Sequence, residues 1–509
     1  MAETAQPSNP QPPLIRALLA DPACFDHPVG KIELVETHIS WVLLTGSYAY
    51  KIKKPVSLGF LDFGTLQLRH RDCIDELRLN RRLARDYYLS VVGISGTPDA
   101  PRINAAGEAF EYAVKMRQFP LDATLDRLAE RGALGEAHID ALAARIAHFH
   151  LYECDKAQAD SRWGEPETIA RPVAENFRSL FANLDDAGLR DSLVRLERWC
   201  GAEHARLVPV MAARKRDGWV RECHGDLHLA NMAWVDGRIV IFDCLEFNPA
   251  LRWTDVISEV AFCYMDLLHR GYDGLAARFL NAWLEAAGDY RGVGLLRYYA
   301  VYRALVRAKV AALRAAQLAD KRDALQDAAS CLQLAERLVA ASPPMLFITH
   351  GLSGSGKTTL SQQLVQARGM IRLRSDVERK RLAGLGPLDK GGAALYSDDC
   401  SRLTYQHLLE LAEALLVAGW SVIVDAAFLA RSCRDLFREL AARLGVGFQI
   451  LDLQADPDIL RERISRREAC GADASEADLR VLQRQLDTFE VLDDDELEYT
   501  RRIGVTSGR

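Results

Sequence analysis

The decapeptide GLSGSGKTTL at residues 351–360 constrains this chain more than any other stretch. Gly351, Gly356, Lys357 and Thr358 satisfy G-x-x-x-x-G-K-[ST], between an apolar run, MLFIT, and a helix-forming run, TLSQQLVQAR. That context predicts a strand, a tight loop and a helix. Residues Gly351, Ser353, Gly354, Ser355, Gly356 and Thr359 would bring backbone N–H groups around the phosphates of ATP, helped by the positive end of the helix dipole. Lys357 would reach the β and γ phosphates, and the Thr358 hydroxyl would hold Mg2+.

This loop comes late in a chain of 509 residues, a length that predicts roughly two to four domains. With 49% hydrophobic and 26% charged residues the composition is that of a globular enzyme, and a net charge of −6 gives no reason to expect nucleic acid or an anionic membrane as partner. Eleven cysteines occur without any C-x-x-C pair, which fits reduced thiols in a cytoplasmic protein. The start, MAETAQPSNPQPP, has no basic region followed by an apolar run, so residues 1–28 are expected to form a disordered tail. No run of about 20 apolar residues suggests a membrane span.

Residues 29–341 read as a small mixed lobe, about 29–119, followed by a helical lobe, about 120–341. In the first, ISWVLL and YAYKIKK flank a hairpin signal, and DCIDELRLNRRLARD is helical. The prolines of AASPPM end the last long helix. From Ser342 to Arg509, short apolar runs alternate with helical stretches, as in a parallel sheet covered on both faces.

Within this P-loop domain, no N-K-x-D motif follows and there is no room for the extra helical domain of ring-forming ATPases. LRSDVERKRL places Arg374 and Asp376 at a strand end, where open α/β folds bind ligands. Asp376 would take the proton of an acceptor hydroxyl; alternatively S-D-V-E is a helix cap, with Ser375 capping and Glu378 reaching back. Asp425, closing SVIVDA, would sit in the Mg2+ shell or end the strand as a turn residue. Arg463, Arg466 and Arg467 share one face of a helix beginning at Asp456-Pro457, either as an arginine lid over the triphosphate or as a solvated basic face.

A second motif precedes it. ECHGDLHLANMAWVDGRIVIFD sets Asp226, Asn231 and Asp243 in the layout of a kinase catalytic loop. One carboxylate takes the acceptor proton, while an amide oxygen and a second carboxylate are hard ligands for Mg2+. The competing assignment makes His224, Asp226 and His228 ligands of a transition metal in a hydrolase.

HGDLHLAN, IVIFD and RWTDVISEVA together resemble the aminoglycoside phosphotransferase and choline kinase family, which implies a bilobal α+β protein-kinase-like fold. The resemblance implies that Lys51 of YAYKIKK, with Lys53 as fallback, pairs the ATP phosphates, and that Glu76 of CIDELRLNRRL is its partner. VKMRQFP resembles the hinge where adenine sits, whereas VETHIS lacks the glycines of a phosphate-covering loop. The whole chain resembles bacterial bifunctional aminoglycoside phosphotransferase/ATP-binding proteins, with an α/β P-loop NTPase fold in its second half.

The expectation is a tandem of ATP- and Mg2+-dependent phosphotransferases acting on hydroxyls of small molecules such as a sugar, an aminocyclitol or a nucleoside. The region between Ala123 and Cys200 and the segment from Leu382 to Arg402 would shape the two acceptor pockets. In one alternative, one half is silent and regulates the other. In another, the P-loop half is a polynucleotide 5′-hydroxyl kinase, against which stands the lack of a basic, aromatic-studded surface.

Overall fold

A computed structural model describes residues 11–504 apart from 59–60, 319, 341, 393–394, 396 and 471–473, together with all side chains of the described residues except those at 58 and 467–470. Two compact units are present. The first comprises the described chain up to Leu134 with His148–Ile169 and Pro209–Glu259; the second comprises Gly135–Ala147, Ala170–Val208 and the chain from Val260 onward. The architecture does change at the expected place, since the helix Arg322–Val339 is followed by the strand Met345–His350. The compact units, however, do not divide there.

In the first unit six antiparallel strands form one sheet: β1 (Glu33–Glu36), β2 (Ser40–Leu44), β3 (Tyr48–Lys53), β4 (Tyr88–Thr97), β5 (Ala100–Ile103) and β6 (Glu111–Arg117). Their order is β1-β2-β3-β6-β4-β5. One structured segment lies where a tail was expected. Helix α1 (Gln11–Ala20) buries Leu14, Ile15 and Leu18 against Tyr50, Ile52 and Ile94 of the sheet. Its Gln11 side chain donates to the Lys53 carbonyl at 2.6 Å and to Glu111 Oε2 at 2.8 Å. The expectation of disorder for residues 1–28 therefore fails from residue 11 onward, and residues 1–10 lie outside the described residues. Pro12 and Pro13 fall in the first helical turn, where a missing N–H costs nothing, so they begin a helix instead of preventing one.

Helix α2 (Leu66–Asn80), capped by the Thr65 hydroxyl accepting the Leu68 N–H at 3.2 Å, precedes β4 and carries Glu76. A two-stranded hairpin, Met232–Val235 with Arg238–Ile241, follows the HGD motif.

The second unit holds a five-stranded parallel sheet of β7 (Met345–His350), β8 (Ile371–Arg374), β9 (Val422–Asp425), β10 (Gly447–Gln454) and β11 (Thr500–Gly504). The order β8-β9-β7-β10-β11 puts the phosphate-loop strand in the middle and β8 at an edge. Helix α3 (Asp273–Ala287) closes that edge. The Asn281 amide donates to the Met370 carbonyl at 2.9 Å and accepts the Arg372 N–H at 2.7 Å, so one side chain bonds the outer edge of β8 as a neighbouring strand would. Ala277 of the same helix packs with Phe347, Val365, Met370 and Ile423. Helix α4 (Lys357–Arg368) follows β7 across the phosphate loop, and α5 (Ser375–Leu382) follows β8 directly. No helix of the described residues is long and apolar enough to cross a membrane.

Two substitutions test these contacts. Leu18→Ala should lower unfolding free energy by about 2–5 kcal/mol, as for a core leucine, where a disordered tail would give less than about 0.5 kcal/mol; denaturant titration distinguishes them. Asn281→Ala strips partners from two buried backbone groups and should cost about 1–3 kcal/mol in the same measurement.

Candidate active sites

Residues two apart on a strand face the same way, so β3 presents Lys51 and Lys53 together. Glu76 lies between them: Lys51 Nζ is 2.9 Å from Oε1 and Lys53 Nζ is 2.7 Å from Oε2. The lysines then part. Lys51 reaches Asp243 Oδ1 at 2.5 Å, whereas Lys53, fully buried, bonds Glu246. Burial by itself would lower the pKa of Lys51, but Asp243 and Glu76 more than offset it and hold the ammonium charged. Burial likewise opposes the charge on Glu76, and the two lysines overcome it, bringing its pKa down to about 2. Of the two candidates, Lys51 is the one beside the expected metal carboxylate.

The HGD turn is held from below. Gly225 has φ +89°, and a Cβ there would stand 3.1 Å from the Leu245 Cβ. Its N–H donates to Glu259 Oε1 at 2.7 Å, and Glu259 is also 2.9 Å from His150 Nε2. Burial raises the Glu259 pKa, but these bonds and the nearby imidazoles outweigh it and lower it to about 2. Asp226 is half-buried; Asn231 Nδ2 donates to its Oδ2 at 3.1 Å and to its carbonyl at 3.0 Å, and His228 Nε2 lies 3.3 Å from Oδ2. Asp243 adopts φ +63°, a left-handed conformation that aspartate tolerates, with its N–H donated to the Tyr88 hydroxyl at 3.1 Å.

The metallohydrolase alternative fails on His224. Its Nδ1 accepts the Asp226 N–H at 3.2 Å, which leaves the proton on Nε2, donated to the Phe242 carbonyl at 2.9 Å. Both ring nitrogens are thus engaged with backbone groups, leaving no lone pair directed at a metal ion. Among the described residues, the groups spaced for a metal ion are His150/Cys223/Glu259 and His269/Asp327/Cys331, not the H-x-D-x-H run. An Asn231 amide oxygen and the Asp243 carboxylate are instead hard oxygen donors suited to Mg2+. Where a glycine-rich cover would lie, β1 and β2 join through a turn in which Thr37 Oγ1 accepts the Ser40 N–H at 2.9 Å.

In the second unit the phosphate loop has the backbone its glycines predict. Gly351, Gly354 and Gly356 have φ of +145°, +84° and +94°, and a Cβ on Gly351 would come within 2.6 Å of the Leu453 carbonyl. Lys357 Nζ donates to the Gly351 and Leu352 carbonyls at 2.9 and 2.8 Å. The loop, from Ser353 through Thr359, lines a cavity of about 1240 Å³ that also receives Asp376, Asp425 and Arg463. Asp425 accepts the Ser361 hydroxyl at 3.1 Å; with Thr358 it gives the cavity two hard oxygen donors near the loop, a set that fits Mg2+.

Two expectations change here. The helix-cap alternative for S-D-V-E does not form. β8 extends to Arg374, which is the N-cap without a side-chain bond, so Ser375 is already in the first turn. Glu378 pairs with Arg381 and His407 at 3.4 and 3.3 Å instead of reaching back. The arginine face also divides. Arg463 Nη1 donates to the Gly354 carbonyl at 3.3 Å, while Arg466 is exposed and pairs with Glu462 at 2.8 Å. The side chain of Arg467 lies outside the described residues.

Several contributors had no signal in the sequence. Arg484 and Gln485 enter the cavity from a helix at Leu479–Asp487, and Gln485 Oε1 accepts the Ser353 N–H at 2.8 Å. Glu259 fell within RWTDVISEVA without being singled out, and Glu246 lay three residues past the end of IVIFD.

Residues 346–492 match the AAA domain family. A sugar kinase from Janibacter sp. HTCC2649 is similar at 24% identity and a TM-score of 0.24, covering 32% of this chain and 86% of that one. A choline/ethanolamine kinase family protein from Mesorhizobium loti is similar at 13% identity and a TM-score of 0.41, covering 64% and 98%. Uncharacterized protein Rv2004c of Mycobacterium tuberculosis (strain ATCC 25618 / H37Rv) is 32% identical over 483 residues, 93% of this chain and 95% of its own length. A kinase-like catalytic loop in front of a P-loop domain with a parallel sheet is the two-part organisation that the sequence resemblance implied. Over nearly its whole length, the chain belongs to the family of the mycobacterial protein Rv2004c.

Proposed function

We propose that the chain is a tandem phosphotransferase, with one ATP- and Mg2+-dependent site in each unit and small-molecule hydroxyls as acceptors. The observation that carries this reading is the convergence of Lys51, Glu76 and Asp243, brought together from β3, α2 and the segment after the HGD turn. Chance offers no reason for a sheet lysine to bond both a helix glutamate and the second carboxylate of a D-x-x-x-x-N loop.

When bound, Mg-ATP supplies the phosphoryl group and neutralises its oxygens. In the first site Asp226 would orient the acceptor hydroxyl and take its proton, its carboxylate fixed through Oδ2 by Asn231 and His228. Asn231 and Asp243 would hold Mg2+, and Lys51 the phosphates. In the second, the phosphate-loop amides with Lys357 would hold the triphosphate, joined by Arg463. Thr358 and Asp425 would hold Mg2+, and Asp376, on the wall of the same cavity, would take the acceptor proton.

Asp226→Asn and Lys357→Ala should each lower one activity by at least ~10²-fold, the scale for removing a preorganised transition-state group, and leave the other intact. Labelled-ATP turnover against a metabolite extract reads both, and loss of all turnover in either single variant would instead establish a silent or coupled half. Chelation should stop both activities and Mg2+ restore them. Stoichiometric zinc surviving dialysis would defeat the kinase assignment of Asp226.

A further inference from the structure

Three arginines bracket Asp376 along the chain, and all three converge on the last turn of α3, outside the segment matched by the AAA domain family. Arg372 donates to Glu285 Oε1 from Nε at 3.0 Å and from Nη2 at 2.6 Å. Arg374 Nη1 donates to Oε2 at 3.3 Å, and Arg381 Nη2 donates to the Glu285 carbonyl at 2.5 Å. One glutamate thus takes a guanidinium on each carboxylate oxygen and a third on its peptide oxygen. Room for the third comes from Gly288, which ends α3 at φ +75°: a Cβ there would stand 2.7 Å from Arg381 Nη1.

The grip falls on both sides of Asp376. Arg372 and Arg374 belong to β8, which ends at the residue before Ser375, and Arg381 lies near the end of α5. Pairing with β9 holds β8 as far as Arg374, but α5 then begins without a side-chain cap. Arg374 also lines the cavity beside Asp376.

We propose that Glu285 is a positioning residue of the P-loop site, holding the strand–helix corner so that Asp376 faces the acceptor. The proposal rests on the reading of Asp376 as the acceptor-side base. Without the carboxylate, Arg372 and Arg374 lose a shared counter-charge, and their repulsion in a largely buried setting displaces the corner. Displacement of about 1 Å in a reacting group costs ~10²-fold in rate. The phosphate loop takes its backbone conformation from its own glycines, and Arg372 keeps separate bonds to the Thr358 carbonyl at 3.4 Å and the Ser361 hydroxyl at 3.5 Å.

The test uses the full chain carrying Asp226→Asn, which silences the first site, with Mg-ATP hydrolysis and thermal unfolding as readouts. Glu285→Gln should lower kcat by ~10–10²-fold while KM for ATP stays within about twofold, and Glu285→Asp should recover part of the loss. Introduced on top of Asp376→Asn, Glu285→Gln should cost nothing further, because it acts through that aspartate. A merely structural glutamate would multiply the two losses, and that result overturns the proposal, as does an unchanged kcat in Glu285→Gln. If Asp376→Asn itself leaves turnover intact, the reading of the site falls and the proposal with it. Should Glu285→Gln fail to fold, Glu285→Asp carries the same comparison.

Discussion

Four charges with almost no access to water, Lys51, Lys53, Glu76 and Glu246, hold the first unit together. None is tolerable alone, because an unpaired charge at that depth costs about 3–5 kcal/mol. Their mutual neutralisation therefore ties β3, α2 and the segment after the HGD turn into one arrangement. Glu246 follows Asp243 by three residues, so anchoring Glu246 on Lys53 also determines where Asp243 comes to lie, beside Lys51. The pairing that makes the core electrically acceptable is the same one that assembles the site.

The second unit solves a similar problem with the same signs. Its β8 edge is rich in arginine, and Glu285 answers those charges from α3. The phosphate loop beside it needs no such help, because Gly351, Gly354 and Gly356 occupy backbone conformations that other residues resist. Within this unit a loop shaped by local backbone geometry thus adjoins a strand edge held by long-range ion pairs.

That difference explains what could be read from the chain. The phosphate loop was legible because its spacing encodes its own conformation; Asp226 and Asp243 were singled out by motif spacing and resemblance together, Lys51 and Glu76 by the resemblance alone. α1 was missed because a proline-rich start resembles a tail until Leu14, Ile15 and Leu18 find the sheet. The S-D-V-E cap was misjudged because pairing with β9 carries β8 on to Arg374, a fact of the sheet and not of the tetrapeptide. Glu259, Glu285 and Gln485 act on partners 34, 87 and 132 residues away, distances at which no local pattern signals a contact.

Asn281 has a consequence for how such a chain is inherited. Its amide completes a sheet whose strands begin more than sixty residues later, so the motif-bearing segment is not a portable cassette. Recombination that transplanted the segment from Met345 onward would carry away the whole phosphate-loop signature and leave behind the residue that finishes its sheet edge. The unit that must move together is longer than the recognisable one and begins with α3 at Asp273.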